Sequence, residues 1–126
     1  MIYLITGKAN AGKTHYAKEL EIELRLDGQD VVWLDGDKFR EQTGNKDYTI
    51  GGRRKNLMGA AVLAMEYERE GKTVILSFIA PTIAWRQEMR SYWQESILIY
   101  IPGGTLWKGT FYQEPIIEEM SIQRKE

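Results

Sequence analysis

Gly7-Lys8-Ala9-Asn10-Ala11-Gly12-Lys13-Thr14 matches the pattern G-x-x-x-x-G-K-[ST] at every fixed position, and its reading decides the rest of the chain. The two glycines let the backbone curl tightly enough for successive N–H groups to point inward at phosphate oxygens, and a helix beginning near Lys13 adds its positive dipole end. Lys13 then reaches the β- and γ-phosphates of a triphosphate as a point charge, and the Thr14 hydroxyl is a ligand for the Mg²⁺ that bridges them. The residues before the motif supply the required setting. Ile2-Tyr3-Leu4-Ile5-Thr6 is a short apolar, β-rich run, so the order is strand, loop, helix. The whole stretch Gly7, Lys8, Ala9, Asn10, Ala11, Gly12, Lys13 and Thr14 is therefore predicted to bind ATP as a P-loop.

Working outward, residues 13 to 27 carry Tyr16, Ala17, Leu20 and Leu24 at helical spacing, with Gly28 placed to end the helix. His15, the only histidine, adjoins the proposed metal hydroxyl but has no partner ligands in the sequence, and it reads as a surface or packing residue. Val31-Val32-Trp33-Leu34-Asp35 is a continuous apolar run of strand length, the pattern of a strand buried on both faces. It ends in Asp35-Gly36-Asp37-Lys38-Phe39-Arg40. Chemistry gathers at the carboxyl ends of such strands. In extended chain, carboxylates at i and i+2 point the same way, roughly 6.5 Å apart. One could hold Mg²⁺ while the other accepts the proton of an attacking hydroxyl. An ordinary Asp-Gly turn is the plain alternative.

The remaining chain continues the alternation. Residues 41 to 52, polar and with Gly44, Gly51 and Gly52, predict a loop. Residues 53 to 70 hold Leu57, Ala60, Ala61, Ala64, Met65 and Tyr67 in a helical pattern closed by Gly71. Strands follow over residues 74 to 79 and 97 to 101, around a helix from Thr82 to about Gln94 that Thr82 could cap and whose Ile83, Trp85, Met89 and Trp93 face the core. Residues 116 to 126 read as a short helix or a frayed end. The expectation is one small three-layer α/β domain over residues 1 to 126, its mostly parallel sheet of at least four strands joined by right-handed crossovers.

Composition excludes several classes. The 17 basic residues against 18 acidic ones give a net charge of -1, which argues against extended contact with nucleic acid while leaving a local basic site open. Absence of cysteine removes disulfides, thiolate metal sites and cysteine nucleophiles. No apolar run approaches the ~20 residues of a membrane span, and no charged leader with a hydrophobic stretch opens the sequence. A soluble, cytoplasmic protein without membrane contact is expected.

The P-loop, then Leu34-Asp35-Gly36-Asp37-Lys38-Phe39-Arg40, then Ser77-Phe78-Ile79-Ala80-Pro81 together resemble the adenylylsulfate kinases. Members of that family phosphorylate the ribose 3′-hydroxyl of adenosine 5′-phosphosulfate in sulfate assimilation. The likeness runs over about residues 1 to 101. It implies a P-loop kinase fold, Mg·ATP as phosphoryl donor and a small nucleotide as acceptor. It also implies catalytic roles for Lys13, Asp35 and Asp37, and metal ligation by Thr14 and Asp35. The acceptor is implied to lie on Arg40, Tyr48, Arg53, Asn56 and Ile79. Tyr48 would stack on its adenine, with Arg53 and Asn56 gripping its phosphosulfate or ribose.

The departures from the family pattern are specific. A pair of arginines is replaced by Met58-Gly59, a serine by Ala80, and a loop glycine by Asn10, a residue that tolerates left-handed backbone. The family's lid is cut out. Pro102 to Thr110 runs almost at once into Phe111-Tyr112-Gln113-Glu114-Pro115, with Lys108 as a vestige that could replace the missing charge. A lid excludes water and a late cationic finger can be worth about 10³ to 10⁵ in rate. A domain without one could turn over slowly, borrow a charge from a second copy in a homodimer, or act on a substrate that covers the site itself. Two alternatives to phosphorylation of adenylylsulfate therefore stay open. One is a P-loop kinase for another hydroxyl acceptor, such as a nucleoside, polynucleotide or small metabolite. The other is a nucleotide-binding regulatory module with little turnover.

Overall fold

The computed structural model describes residues 1–107 and 109–126; Lys108, the vestigial lid lysine of the sequence reading, lies outside them. Five strands form one sheet in the order β2-β3-β1-β4-β5. They are β1 (Ile2–Thr6), β2 (Val31–Asp35), β3 (Thr73–Ser77), β4 (Glu95–Tyr100) and β5 (Gln123–Arg124). The first four run parallel, with Ile5 beside Ser77 and Ile99, and Asp35 beside Ser77. β5 pairs antiparallel with β4. The helices are α1 (Lys13–Leu26), α2 (Gly36–Thr43), α3 (Ile50–Arg69) and α4 (Ile83–Ser91). The sheet is α/β and mostly parallel, as the alternation of the sequence predicts.

Two-residue periodicity sorts the core onto the two faces of the sheet. Ile5 and Ile75 pack with Ala17 and Leu24 of α1 on one side. Ile2, Leu4, Val74 and Leu76 pack with Leu57, Ala60, Ala61 and Ala64 of α3 and with Met89 and Trp93 on the other. The small side chains along α3 let it lie close to the sheet, while Trp93 Nε1 finds a partner in the Ala61 carbonyl at 2.9 Å. A buried indole needs such a partner.

Several expectations are corrected. β2 is an edge strand rather than one buried on both faces: Val31 and Leu34 are buried, but Val32, Trp33 and Asp35 are only half-buried. The strand that is buried along its whole length is β3. Residues 36 to 43 are helical, so Asp35 and Asp37 do not alternate along extended chain. Asp35 is the N-cap residue, and Asp37 lies in the first turn of α2, where a carboxylate is favoured by the helix dipole. Helix α2 escaped the sequence reading because Phe39 is its one buried residue. Likewise, the loop assigned to residues 41 to 52 is shorter, since α3 starts at Ile50 with the Thr49 side chain accepting from Gly52 N at 3.2 Å. Thr82 caps α4 in the same way, its hydroxyl accepting from Trp85 N at 3.0 Å.

The last eleven residues carry a 3-10 turn, Ile117–Met120, and then β5. Glu119 from that turn is fully buried against Arg86 of α4, with Arg86 Nε 2.9 Å from its Oε1.

Candidate active site

β1 delivers the chain to the phosphate loop at the carboxyl end of the sheet. Asn10 has φ 61, and Gly12, the residue before α1, has φ 103. Gly7 is required for another reason: a Cβ there would lie 2.5 Å from the carbonyl oxygen of Ile101. The chain after β4 thus presses on the loop. Thr105 N donates to Ala9 O at 2.8 Å, and Asn10 Nδ2 to Thr105 Oγ1 at 3.3 Å. Among the described residues no side chain caps the start of α1, and the free N–H groups of a helix start are the arrangement that takes an anion.

Lys13 folds back over the loop, its Nζ donating to Lys8 O at 2.7 Å. Burial pushes its ammonium below the ordinary value, and the charges of Asp35 and Asp37 act in the opposite sense. Both acids of the 35 to 40 stretch are therefore close enough to Lys13 to act on its charge. Asp35 is also tied to the loop directly. Its Oδ1 lies 3.3 Å from Thr14 Oγ1 and 2.8 Å from Ser77 Oγ. The Ser77 hydroxyl in turn lies 2.9 Å from Trp33 Nε1. An indole N–H can only donate and a serine hydroxyl has one proton, so the direction is forced: Trp33 donates to Ser77, and Ser77 donates to Asp35. This relay from β2 through β3 holds one carboxylate oxygen and explains why Asp35 makes no side-chain cap to α2. The sequence reading missed Ser77 and Trp33 as supports, since only the parallel register of β2 and β3 places them together.

The oxygen donors here suit the implied metal. Thr14 Oγ1 and Asp35 are hard ligands next to the phosphate loop, of the type Mg²⁺ takes alongside phosphate oxygens and water. Among the described residues no group of three or more His, Asp or Glu gathers to hold a metal. His15 is elsewhere, exposed on α1 and 3.2 Å from Glu19.

A cavity of about 640 Å³ opens beside the loop, and Lys13, Thr14, Asp35 and Asp37 line it. The same lining includes Arg40, Tyr48, Arg53, Asn56 and Ile79, together with Leu106, Trp107 and Phe111. All five acceptor residues of the sequence reading thus border one space with the phosphate loop. Their states differ. Arg40 is engaged with its own loop, Nη1 donating to Asn45 O at 3.1 Å and Asp47 O at 3.0 Å, and its guanidinium sits 4.2 Å from the centre of the Tyr48 ring. That stacking holds Tyr48, which is 59% exposed, at the cavity mouth. Asn56 is only 7% exposed, and its Oδ1 has no hydrogen-bond partner among the described residues. A buried amide of this kind is satisfied by a bound ligand or its water. Leu106, Trp107 and Phe111 were not singled out by sequence; in the structure their apolar side chains are exposed.

A strand-loop-helix phosphate cradle with an acid from the end of the next strand in sequence at its rim is the architecture of the P-loop nucleotide-binding domains. Within that class the chain belongs to the adenylylsulphate kinase family, whose model matches residues 1–104. It is 33% identical over 97 residues to a probable adenylyl-sulfate kinase of Pseudomonas aeruginosa, covering 76% of this chain and 45% of the relative. It is also 33% identical over 79 residues to the cytidine diphosphoramidate kinase of Campylobacter jejuni, covering 63% of this chain and 46% of that one. The chain spans about half the length of the curated relatives it matches. The fold is shared with the APS kinase of Mycobacterium tuberculosis solved with AMPPNP and APS, at a TM-score of 0.75 and 21% identity over 80% of this chain and 61% of that one. No helix among the described residues is long and apolar enough to cross a membrane.

Proposed function

We propose that this domain is a kinase that transfers the γ-phosphoryl group of Mg·ATP to a hydroxyl of a small nucleotide, with the 3′-hydroxyl of adenosine 5′-phosphosulfate as first choice of acceptor. The observation that carries this reading is that Lys13, Thr14, Asp35 and Asp37 line the same cavity as Arg40, Tyr48, Arg53 and Asn56. Donor and acceptor groups border a single space, which is what in-line transfer between two bound molecules requires.

The loop N–H groups and Lys13 hold the donor phosphates, and a Mg²⁺ on Thr14 and Asp35 would neutralise charge developing on them. One of the two aspartates takes the proton of the acceptor hydroxyl as its oxygen bonds to the γ-phosphorus and the bond from phosphorus to the β,γ-bridging oxygen breaks, releasing ADP. Asp37, in the first turn of α2 and outside the Ser77 relay, is our choice for base. The Tyr48 ring offers a face to a planar base. Arg53 offers a fork to a doubly charged phosphosulfate, and Asn56 takes a polar group of the ribose.

A second reading has its own support. The likeness to a cytidine diphosphoramidate kinase and the presence of Met58-Gly59 where the family has arginines favour an acceptor other than adenylylsulfate on the same machinery. Incubation with Mg·ATP and a panel of hydroxyl acceptors, followed by ADP, separates the readings. Release that depends on adenylylsulfate supports the first, and release that depends on a cytidine nucleotide supports the second. ADP binding with no acceptor-dependent release would leave a nucleotide-binding module and overturn both.

A further inference from the structure

Arg86 and Glu119 form a buried ion pair that the chemistry above does not use. Both side chains are completely buried. Arg86 grips Glu119 with two nitrogens, Nε to Oε1 at 2.9 Å and Nη2 to Oε2 at 3.3 Å. The same guanidinium donates from Nη1 to Ala80 O at 2.7 Å and from Nη2 to Gln113 O at 2.9 Å. A planar fork with five donors is suited to such a junction, whereas a lysine is not. The segment leaving β3, the strap after β4 and the 3-10 turn of the tail thus meet on one side chain.

What the junction holds is a wall of the active-site cavity. Ala80 is buried and has φ 46, a left-handed conformation that a non-glycine residue keeps only where its surroundings impose it. Ile79, Ala80, Pro81, Thr110 and Phe111 all line the cavity. The strap is fastened to this wall a second time by Gln113, whose N donates to Pro81 O at 2.7 Å and whose Oε1 accepts from Ile83 N at 3.0 Å. A third tie runs to the residue before the phosphate loop. Thr6 Oγ1 donates to Ile79 O at 2.5 Å, so its 2.9 Å contact with Tyr112 is a bond in which the tyrosine donates. The Arg86 guanidinium packs 5.5 Å from the centre of that Tyr112 ring.

We propose that Arg86 is a positioning residue of the acceptor wall: fixed by Glu119, it imposes the left-handed turn at Ala80 and seats the strap at Gln113, so the tail after β4 is a working part of the acceptor site. The site then has a built second half in place of a mobile cover, and its geometry depends on residues 33 positions apart. The inference rests on the kinase reading above for its functional consequence, and on the Ala80 turn for its structural one.

Breaking one partner leaves a buried unpaired charge and can unfold the protein, whereas replacing both by apolar residues of similar volume is commonly tolerated. The informative variant is therefore Arg86→Met/Glu119→Leu, studied beside Glu119→Gln in the full chain. In the double variant the Ala80 Cα and Cβ resonances should leave their left-handed values. Mg·ADP affinity should stay within about twofold while the KM of the acceptor rises about tenfold or more. A folded double variant with Ala80 resonances and acceptor KM unchanged would overturn the proposal. So would equal losses of ADP affinity and acceptor KM, which mark general loosening. If the unsubstituted protein turns over no acceptor, the kinase reading fails, and the Ala80 resonances with Mg·ADP bound decide this inference alone: displaced they support it, unmoved they overturn it.

Discussion

The two halves of the cavity are built in opposite ways. The donor half we propose is mostly local: eight consecutive residues form the loop, and its distant supports are Asp35, on the strand that follows the next helix, and Thr105, after β4. The acceptor half we propose is assembled from four separate segments, with Arg40 pinning Tyr48 across a short loop and Arg86 joining Ala80, Gln113 and Glu119 between the end of β3 and the tail. A phosphate looks the same in every nucleotide, so a local cradle serves. An acceptor must be told from its analogues, and that takes groups held from several directions.

If the halves are separate, substitutions should sort by which substrate they affect. Lys13→Ala should give the largest effect, a loss of about 10³-fold in turnover from removing a charge aimed at the transferring group, with Mg·ADP affinity weakened in the same calorimetric titration. Asp37→Asn should lower turnover about 10²- to 10⁴-fold, the range of a positioned base, while Mg·ADP affinity stays near that of the unsubstituted protein. Tyr48→Ala should raise acceptor KM about tenfold, since stacking on an aromatic ring is worth ~1 to 3 kcal/mol per base; an equal loss of ADP affinity would erase the division between the halves.

Smaller effects sharpen the same division. Ser77→Ala frees Asp35 Oδ1 from its relay and leaves the Trp33 N–H without its acceptor, a loss of about 1 kcal/mol for an ordinary hydrogen bond, so turnover should fall about fivefold with acceptor KM unchanged. Acid should act on the acceptor side. The Thr49 hydroxyl and then its amide hold the Asp47 carboxyl below its ordinary value of 3.8. A depressed carboxylate contributes above its unfolded value, and the contribution disappears as pH falls through the folded one. The turn that leads into α3 should therefore loosen only below about pH 4, seen as loss of protection at the Thr49 amide while the phosphate-loop amides hold.

The same contrast explains what could be read from the sequence. The phosphate loop and the alternation of apolar runs with amphipathic helices are local patterns, and they led to the parallel α/β sheet. Asp35 and Asp37 were legible as residues but not as geometry: two acids at i and i+2 look alike on a strand and on a strand-to-helix junction, and α2 offers one apolar side chain, Phe39, to reveal itself. The edge position of β2 was hidden because an apolar run of five residues carries no mark of its neighbours. Arg86 and Arg90 look like surface charges in a list of residues. Yet they stand beside Met89 on the inward face of α4, and Arg90 is buried against the tail, donating to Ser121 O at 2.9 Å. Helical position was the signal that could have found them; the partner Glu119 was not foreseeable without the fold.

The central claim is that Asp35 and Asp37 meet the phosphate loop as parts of one phosphoryl-transfer site. It is tested most directly by following acceptor-dependent ADP release from Mg·ATP in the unsubstituted protein and in Asp37→Asn at matched ADP binding. Release with adenylylsulfate that collapses in the variant is the expected result. Equal release by the two proteins, or release indifferent to every acceptor offered, would contradict it.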